Sequence, residues 1–533
     1  MPPSIPAKSS PSAKAAAKSA SVLNPPPVRG LHDLSSASLL SSTVCPMTTS
    51  STNLAPALEA LLGASRIFSD PAARAVYTVD GITPPIVAKP ATAEEVAEIV
   101  RFAALERLSL IPCGARTKLR IGMPPSRYDV ALDMTALNQI VHYDPGDLTL
   151  AAGAGMPIAK LNATLFEHHQ FLPLLVPWYS RSTIGGTLAS GIDSPLCQFY
   201  GTPRDFLIGA EFVTGSGAIT KSGGRVVKNV TGYDLHKLLI GSLGTLAVIT
   251  CLNFRTFPAP LAGSRGFVAS FSNAEGALAL RRAIAQSPLT PLTLDIVSPG
   301  LAQIFATQTP ATPEIAVFPG ENRDVGSSSL PPIGDWFHPC EWHLCAAFAG
   351  IPEVLDRYKR DLSRLAGESG AISTAILDDT TRPAVWGRLR ETLSILLESS
   401  PIISIFKLSV LPSHHATLFS NLEEIANRAS LAHLFLARAG GTIYFALLPP
   451  TANDETAGRF AESSTQIFES LSAVGGDTAL LFAPTSLKPR VNTWGSWRSD
   501  LALMRRLKSA FDPANVFAPG RFAQIPISAP TPP

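Results

Sequence analysis

Charge is scarce in this chain. Only 16% of its 533 residues are Asp, Glu, Lys or Arg, and 43 basic against 41 acidic side chains leave a net charge of +2. That small excess, with no basic stripe interleaved with aromatic residues, excludes nucleic acid as a partner. Long apolar runs are missing too. No stretch reaches the roughly 18 uncharged apolar residues of a membrane span, and the apolar text of residues 238–250 is broken by Gly241 and Gly244. Cysteine is sparse: six residues, at positions 45, 113, 197, 251, 340 and 345, scattered and mostly within apolar text. Free thiols in a reducing compartment fit this better than a disulfide framework. Three nucleotide and metal signatures are also absent. There is no G-x-x-x-x-G-K-[ST], Gly153-Ala-Gly155 lacks the third glycine of a Rossmann fingerprint and runs into Pro157, and no Cys-rich iron–sulfur run occurs. Within Cys340–Cys345, strand alternation puts only His343 and Cys345 on one face. Two ligands are too few, so a core strand and no metal are expected.

What is present is ample apolar material (46% of residues) in a chain long enough for two or more domains. Residues 1–50 differ from the rest. They are rich in Ala, Ser and Pro, with Lys8, Lys14, Lys18 and Arg29 and no acidic residue before Asp33. They lack an apolar h-region, so they read as a disordered tail or an over-long gene start, with Met47 as the natural beginning. A short helical region then spans 54–79, and Ile86–Ala88 is a strand. Thr92 and Glu95 form a capping box for a helix with Val96, Ile99, Val100 and Ala103 on one stripe. Strands are expected at 108–112, 130–134 and 148–152, and a helix after Pro157. Beyond Pro260, strands at 266–271, 292–297, 341–348, 402–411 and 443–448 alternate with helices at 274–286, 352–365 and 418–428, with a loop at 320–332. A helix over 501–511 precedes Asp512-Pro and Pro519-Gly-Arg-Phe522.

The chemistry lies where glycines and hydroxyl residues interrupt short apolar runs. A dianionic diphosphate needs converging backbone amides and nearby cations. The turn Cys113-Gly114-Ala115-Arg116-Thr117-Lys118 follows a strand–helix–strand unit and offers both. A second block, Ser182, Thr183, Gly185, Gly186 and Thr187, supplies hydroxyls and a Gly-Gly pair that allows close backbone approach. A third block runs from Gly241 through Gly244 to Val248, Ile249 and Thr250.

These blocks, with Tyr200-Gly-Thr-Pro-Arg-Asp205 and Lys228-Asn-Val-Thr-Gly-Tyr-Asp-Leu235, resemble the FAD-binding (PCMH-type) domain of the p-cresol methylhydroxylase and vanillyl-alcohol oxidase superfamily. Within it they are most similar to the glycolate oxidase E-subunit branch. The resemblance implies an α+β fold: a two-lobed PCMH-type FAD-binding domain over 54–259, a ferredoxin-like α+β cap over 260–500, and a C-terminal helix and tail (501–533) returning to the FAD domain. It implies FAD as cofactor, held by Cys113 to Lys118, Ser182, Thr183, Gly185, Gly186, Thr187, Asp205, Gly241, Gly244, Val248 and Ile249, with the Val248–Thr250 backbone along the adenine. The first loop has no His, and Cys113 reads as a buried strand-end thiol, so FAD is expected to be non-covalent. The implied partners are a second FAD subunit and an iron–sulfur subunit of a glycolate-oxidase-like complex, and a small 2-hydroxy acid. The expected location is cytoplasmic, with membrane association only through partners.

The chain also departs from the family. Ala247 stands where a glycine is usual, Gly191–Cys197 differs, and where substrate-oxidising relatives carry a His-x-His metal and base motif the chain reads Gly440-Gly-Thr-Ile-Tyr-Phe445. Catalytic residues stay unassigned. Oxidation of a 2-hydroxy acid needs a base, a carboxylate-binding cation and C2 facing the flavin. Lys228, Tyr233 and Asp234 are candidates, with Arg204, Asp205 and Arg521 beside them. Two alternatives remain: a non-catalytic flavin-fold scaffold subunit, and a stand-alone flavin oxidase of an alcohol or hydroxy acid.

Overall fold

In the computed structural model the described residues are 54–225, 232–260, 263–307, 333, 337–451, 453–495 and 500–522. The 1–50 tail with Met47, the candidate Lys228 and the 320–332 loop lie outside them. The first layer is a four-stranded sheet in the order β1-β2-β4-β3: β1 (Ile67–Phe68), β2 (Ile86–Ala88), β3 (Leu110–Cys113) and β4 (Val130–Asp133). β4 lies parallel to both β2 and β3, which requires a crossover. Helix α1 (Ala93–Leu105) supplies it and buries Val96, Ile99, Val100 and Ala103. Thr92 caps α1 by accepting from Glu95 N–H at 3.2 Å. The Glu95 carboxylate reaches back to Ala91 N–H at 2.7 Å and is also paired with Arg66 at 2.6 Å.

The second layer is a five-stranded antiparallel sheet, β5-β6-β9-β7-β8: β5 (Ile140–Asp144), β6 (Thr149–Gly153), β7 (Leu207–Thr214), β8 (Ile219–Gly223) and β9 (Ala247–Arg255). Two helices lie between β6 and β7 in the chain: α2 (Ile158–Phe166) and α3 (Ile184–Ser190).

From residue 264 onward an eight-stranded antiparallel sheet forms, built from two copies of one topology. The first copy is β10 (Ser264–Phe271), α4 (Ala274–Ala285), β11 (Thr293–Val297), β12 (Trp342–Ala349), α5 (Pro352–Glu368) and β13 (Ser373–Leu377). The buried helix α6 (Arg382–Ser399) leads to the second: β14 (Ser404–Ser409), α7 (His415–Arg428), β15 (Ala432–Arg438), β16 (Thr442–Leu448), α8 (Asp454–Ala473) and β17 (Asp477–Phe482). The strand order β13-β10-β12-β11-β15-β16-β14-β17 is a β-α-β-β-α-β unit placed edge to edge with its counterpart. The ferredoxin-like expectation therefore describes one half of this sheet, and no sequence period announced the duplication. The seam is β11 on β15, where Asp295 faces Arg438.

Alternation along these strands separates two cores. Phe435, Ile443, Phe445 and Leu447 pack under α4, α5, α7 and α8. Leu434, Leu436, Tyr444 and Ala446 pack with α6 and with β6, β7 and β9 of the second layer. Finally, α9 (Leu501–Phe511) leads into a segment that returns to β3: Leu110 N–H donates to Val516 O and Ala518 N–H to Leu110 O, both at 2.8 Å.

Candidate functional site

β3 ends on a buried Cys113, and the chain then turns through residues 114–119. This turn, the start of α3 and the approach to β9 line a single pocket. From the first block come Cys113, Gly114, Ala115, Arg116, Thr117 and Lys118; from the second Thr183, Gly185 and Gly186; from the third Gly244 and Ile249. Its empty volume, open solvent at the mouth included, is about 790 Å³.

The turn itself is built to receive an anion. The N–H groups of Gly114, Ala115, Arg116, Thr117 and Lys118 have no acceptor among the described residues. Buried or half-buried amides without partners are costly, and consecutive ones form an anion-binding concavity. The carbonyls just beyond point away because cations hold them. Arg521 Nη2 donates to Leu119 O at 2.6 Å and to Ile121 O. Lys488, fully buried and paired with Asp80 at 2.7 Å, donates to Arg120 O at 2.5 Å and Gly122 O at 3.0 Å. Arg521 also lines the pocket, is 3% exposed, and its Nη1 has no partner among the described residues. Lys508 ties α9 to the third block through Thr245 O at 2.7 Å.

Three side chains give the wall its charge and grip. Arg116, at φ 64°, lies over the Tyr77 ring at 4.7 Å and donates to the Tyr77 hydroxyl at 3.1 Å. Tyr77 in turn donates to Asp133 at 2.6 Å; burial and that carboxylate raise the phenol's pKa. Lys118 donates to Ser182 Oγ at 2.6 Å and Thr117 Oγ1 at 3.1 Å, above the Trp178 ring at 5.4 Å. Burial lowers its ammonium to about 7, with Glu391 opposing and Arg181 assisting.

The second block differs in form from a turn. Gly185 and Gly186 lie in the first turn of α3, where Thr183 caps Gly186 N–H at 3.2 Å and Gly185 N–H donates to Ala154 O at 2.9 Å. A Cβ on Gly185 would come within 2.8 Å of that same carbonyl, so glycine there serves packing of α3 on the chain after β6. Ser182 is fully buried behind Lys118 and donates to Pro177 O at 2.9 Å. The Thr187 hydroxyl is buried without a partner among the described residues. Strand alternation in β9 turns Ala247 and Ile249 to the pocket and Val248 to the core beneath α1, while Thr250 donates to Glu211.

Other sequence candidates sit elsewhere. Asp205 accepts from Thr202 N–H at 2.7 Å in a capping box. Arg204 donates to Lys237 O. Gly241, at φ 78°, is a turn residue whose N–H donates to Leu188 O. Tyr233 is 90% exposed, and Asp234 pairs with Lys237 at 2.9 Å, which lowers its pKa. None of these lines the pocket.

Tyr444, within the Gly440–Phe445 segment, belongs to a buried polar cluster that sequence reasoning did not find. Tyr444 donates to Asp193, just beyond α3. Arg438 pairs with Asp295 at 2.9 Å and Asp193 at 3.7 Å. Lys407 donates to Gly191 O at 2.7 Å. Burial raises Asp295 to about 6 in spite of Arg438. Among the described residues no group of three or more His, Cys, Asp or Glu is placed to hold a metal, and no helix is long and apolar enough to cross a membrane.

Comparison with known proteins agrees with this architecture. Residues 84–223 match the family model for an FAD binding domain, and residues 264–479 with 496–522 match that for the C-terminal domain of FAD linked oxidases. Glycolate oxidase subunit GlcD of Bacillus subtilis is 24% identical over 458 residues, covering 84% of this chain and 92% of GlcD. D-lactate dehydrogenase of Archaeoglobus fulgidus is 25% identical over 442 residues, covering 82% of this chain and 90% of that protein. Glycolate oxidase subunit GlcE of Escherichia coli is 36% identical, but over only 166 residues, 31% of this chain and 47% of GlcE. The solved structure of p-cresol methylhydroxylase superposes with a TM-score of 0.68 at 17% identity, covering 90% of this chain and 98% of that one, which shows the fold. The chain belongs to the FAD-linked oxidases with a PCMH-type FAD-binding domain and is an FAD-dependent oxidoreductase.

Proposed function

We propose that this chain oxidises the CH–OH group of a 2-hydroxy acid of the glycolate or D-lactate class, as the FAD-bearing subunit of a glycolate-oxidase-like complex in the cytoplasm. The observation that carries the cofactor half of this reading is the run of five N–H groups at 114–118 without an acceptor among the described residues, in a wall that also holds Arg116, Lys118 and Arg521. Such a donor set suits a diphosphate. The substrate half rests on the names of GlcD and the D-lactate dehydrogenase, which align over more than four-fifths of the chain.

Each residue has a task in this reading. The 114–118 amides bind the diphosphate, with Arg116, Lys118 and the free Nη1 of Arg521 offsetting its charge. Arg521 and Lys488 fix the loop carbonyls so that the amides are already aligned before binding. Gly244, Ala247 and Ile249 offer a flat wall to the nucleotide, and α6 with the inner face of the eight-stranded sheet excludes water. Bound FAD supplies the two-electron acceptor. Cys113 is 1% exposed and its thiol, held to Ile111 O at 3.2 Å, is pushed up to about 12 by burial, which supports non-covalent attachment. In this reading residues 54–259 hold the cofactor, 260–500 cover it, and 501–533 close back onto it.

A second reading is favoured by the Asp193–Tyr444–Arg438–Asp295 cluster. Its one cation, Arg438, already faces Asp295 and Asp193, so the cluster offers a substrate carboxylate no free charge. In that case the chain holds FAD and relays electrons, or only binds a catalytic FAD subunit and an iron–sulfur subunit. One experiment separates these readings. The chain is purified alone and its visible spectrum recorded before and after anaerobic D-lactate or glycolate. Bleaching of the flavin bands supports oxidation by this chain; flavin that stays oxidised until a partner subunit is added supports the relay. Acid precipitation that leaves the flavin in the pellet contradicts non-covalent binding.

A further inference from the structure

Lys118 is a buried cation without an anion. It is 8% exposed, and its ammonium touches two hydroxyls and an indole ring, all neutral. No carboxylate lies within ion-pair distance of it among the described residues. The charged groups around it do not make up the difference. On its own loop Arg116 adds a positive charge, shared with Asp133 at 3.8 Å. From the segment before α3, Arg181 adds another that works against the ammonium. From α6 the Glu391 carboxylate is the one opposing charge, and it is already engaged by Trp178 N–H at 2.7 Å, Tyr179 N–H at 3.4 Å and Arg390 Nε at 3.0 Å. From the returning C-terminal segment Arg521 brings a further guanidinium to the same pocket. Among the described residues, Arg116, Lys118, Arg181 and Arg521 thus outnumber the carboxylates that act on them, Asp133, Glu391 and, beside Arg521, Asp80.

We propose that this pocket is proton-coupled: when a diphosphate-bearing ligand binds, Lys118 Nζ takes up a proton and becomes the ammonium that the ligand's charge stabilises. The proposal rests on the FAD reading above. The step is an amine plus a solvent proton giving an ammonium, with no redox change. A wall that buries the amine, with Arg181 assisting, resists carrying the cation while empty. The same wall accepts that cation once a dianion arrives. With the empty-pocket value near 7, the amine form predominates above neutrality. Uptake is then about 0.1 proton per FAD at pH 6, about 0.5 at pH 7 and about 0.9 at pH 8. Affinity for FAD falls by up to about tenfold for each pH unit above 7.

The test uses full-length protein stripped of flavin. FAD is titrated calorimetrically at pH 6, 7 and 8 in pairs of buffers with different heats of ionisation, which gives protons bound per FAD. The wild type is expected to follow the profile above. Lys118→Arg, whose charge is permanent, and Lys118→Met are expected to bind FAD with no uptake and with affinity independent of pH over this range. FAD binding without uptake in the wild type, or uptake that survives in Lys118→Arg, overturns the proton coupling and leaves the FAD site standing. A wild type that binds no FAD overturns the FAD reading and this proposal with it. The wild-type profile decides the matter even if a variant does not fold.

Discussion

Replacing Gly114 by Ala tests whether the anion loop and the start of α3 are one device. A Cβ at Gly114 would lie 2.2 Å from Thr183 Oγ1, 3.3 Å from its Cβ and 3.4 Å from its Cγ2. Thr183 has little freedom to move: it is 3% exposed, β-branched, and its hydroxyl caps α3 at Gly186. Two responses remain. Thr183 can rotate, losing a cap worth about 1 kcal/mol, or the loop can lift, spoiling the alignment of its amides. A hydrogen bond to a charged group contributes about 1.5–3 kcal/mol, so one lost amide weakens FAD binding by about 10- to 100-fold. Thr183→Ala removes the two atoms that bear most of the clash and leaves the loop where it is. The double variant Gly114→Ala/Thr183→Ala is therefore expected to bind FAD within about threefold of Thr183→Ala alone, a coupling of at least roughly 1 kcal/mol. The assay is a flavin-fluorescence titration of the four proteins. Wild-type affinity in Gly114→Ala, or a double variant as weak as Gly114→Ala, would refute the reasoning.

Three further outcomes follow from the same geometry. Arg521→Met removes the clamp on the Leu119 and Ile121 carbonyls and the pocket's free Nη1; FAD release measured on dilution should be at least about tenfold faster, and an unchanged rate denies Arg521 this role. Asp80→Asn leaves the fully buried Lys488 ammonium short of its counter-charge; the cost is about 3–5 kcal/mol, seen as a shorter thermal half-life, and a wild-type half-life counts against it. His343 is fully buried, accepting from the Ser270 hydroxyl at 2.9 Å and donating to His338 O at 2.7 Å, and burial lowers it to about 4. The unfolded chain therefore binds more protons between pH 6.5 and 4, and stability falls as pH falls through that window by about 1.4 kcal/mol per unit. His343→Gln should flatten acid unfolding over that range, whereas an unchanged slope assigns the acid sensitivity to other groups.

Local features were legible where one rule dominated. The Thr92 cap, the α1 stripe and the Gly114 turn each follow from short-range chemistry that a single segment carries. The second block was legible as a place of close backbone approach but not in its local form. Here the pair opens a helix, since Thr183 caps it and the chain after β6 must approach α3 within a glycine's reach. Helix α6 left no trace as an amphipathic stripe. It is buried on nearly every side and carries Arg382, Arg388, Arg390 and Glu391 inward, so no polar face marks it. The doubled cap was hidden for a related reason: topology repeats there without any repeat of residue type. The Tyr444–Asp193–Arg438–Asp295 cluster joins three distant segments, and only a shared seam between β11 and β15 reveals it. Arg521 was visible as a charge, but its grip on two carbonyls some 400 residues away in sequence was not.

The central claim is that three separated segments wrap one FAD through the amides of residues 114–118. Amide hydrogen exchange on the FAD-loaded and flavin-stripped protein tests it most directly. The account predicts slower exchange on loading at 114–119, 183–187 and 243–249, with no change at 232–236. FAD that binds without protecting 114–119 would contradict it.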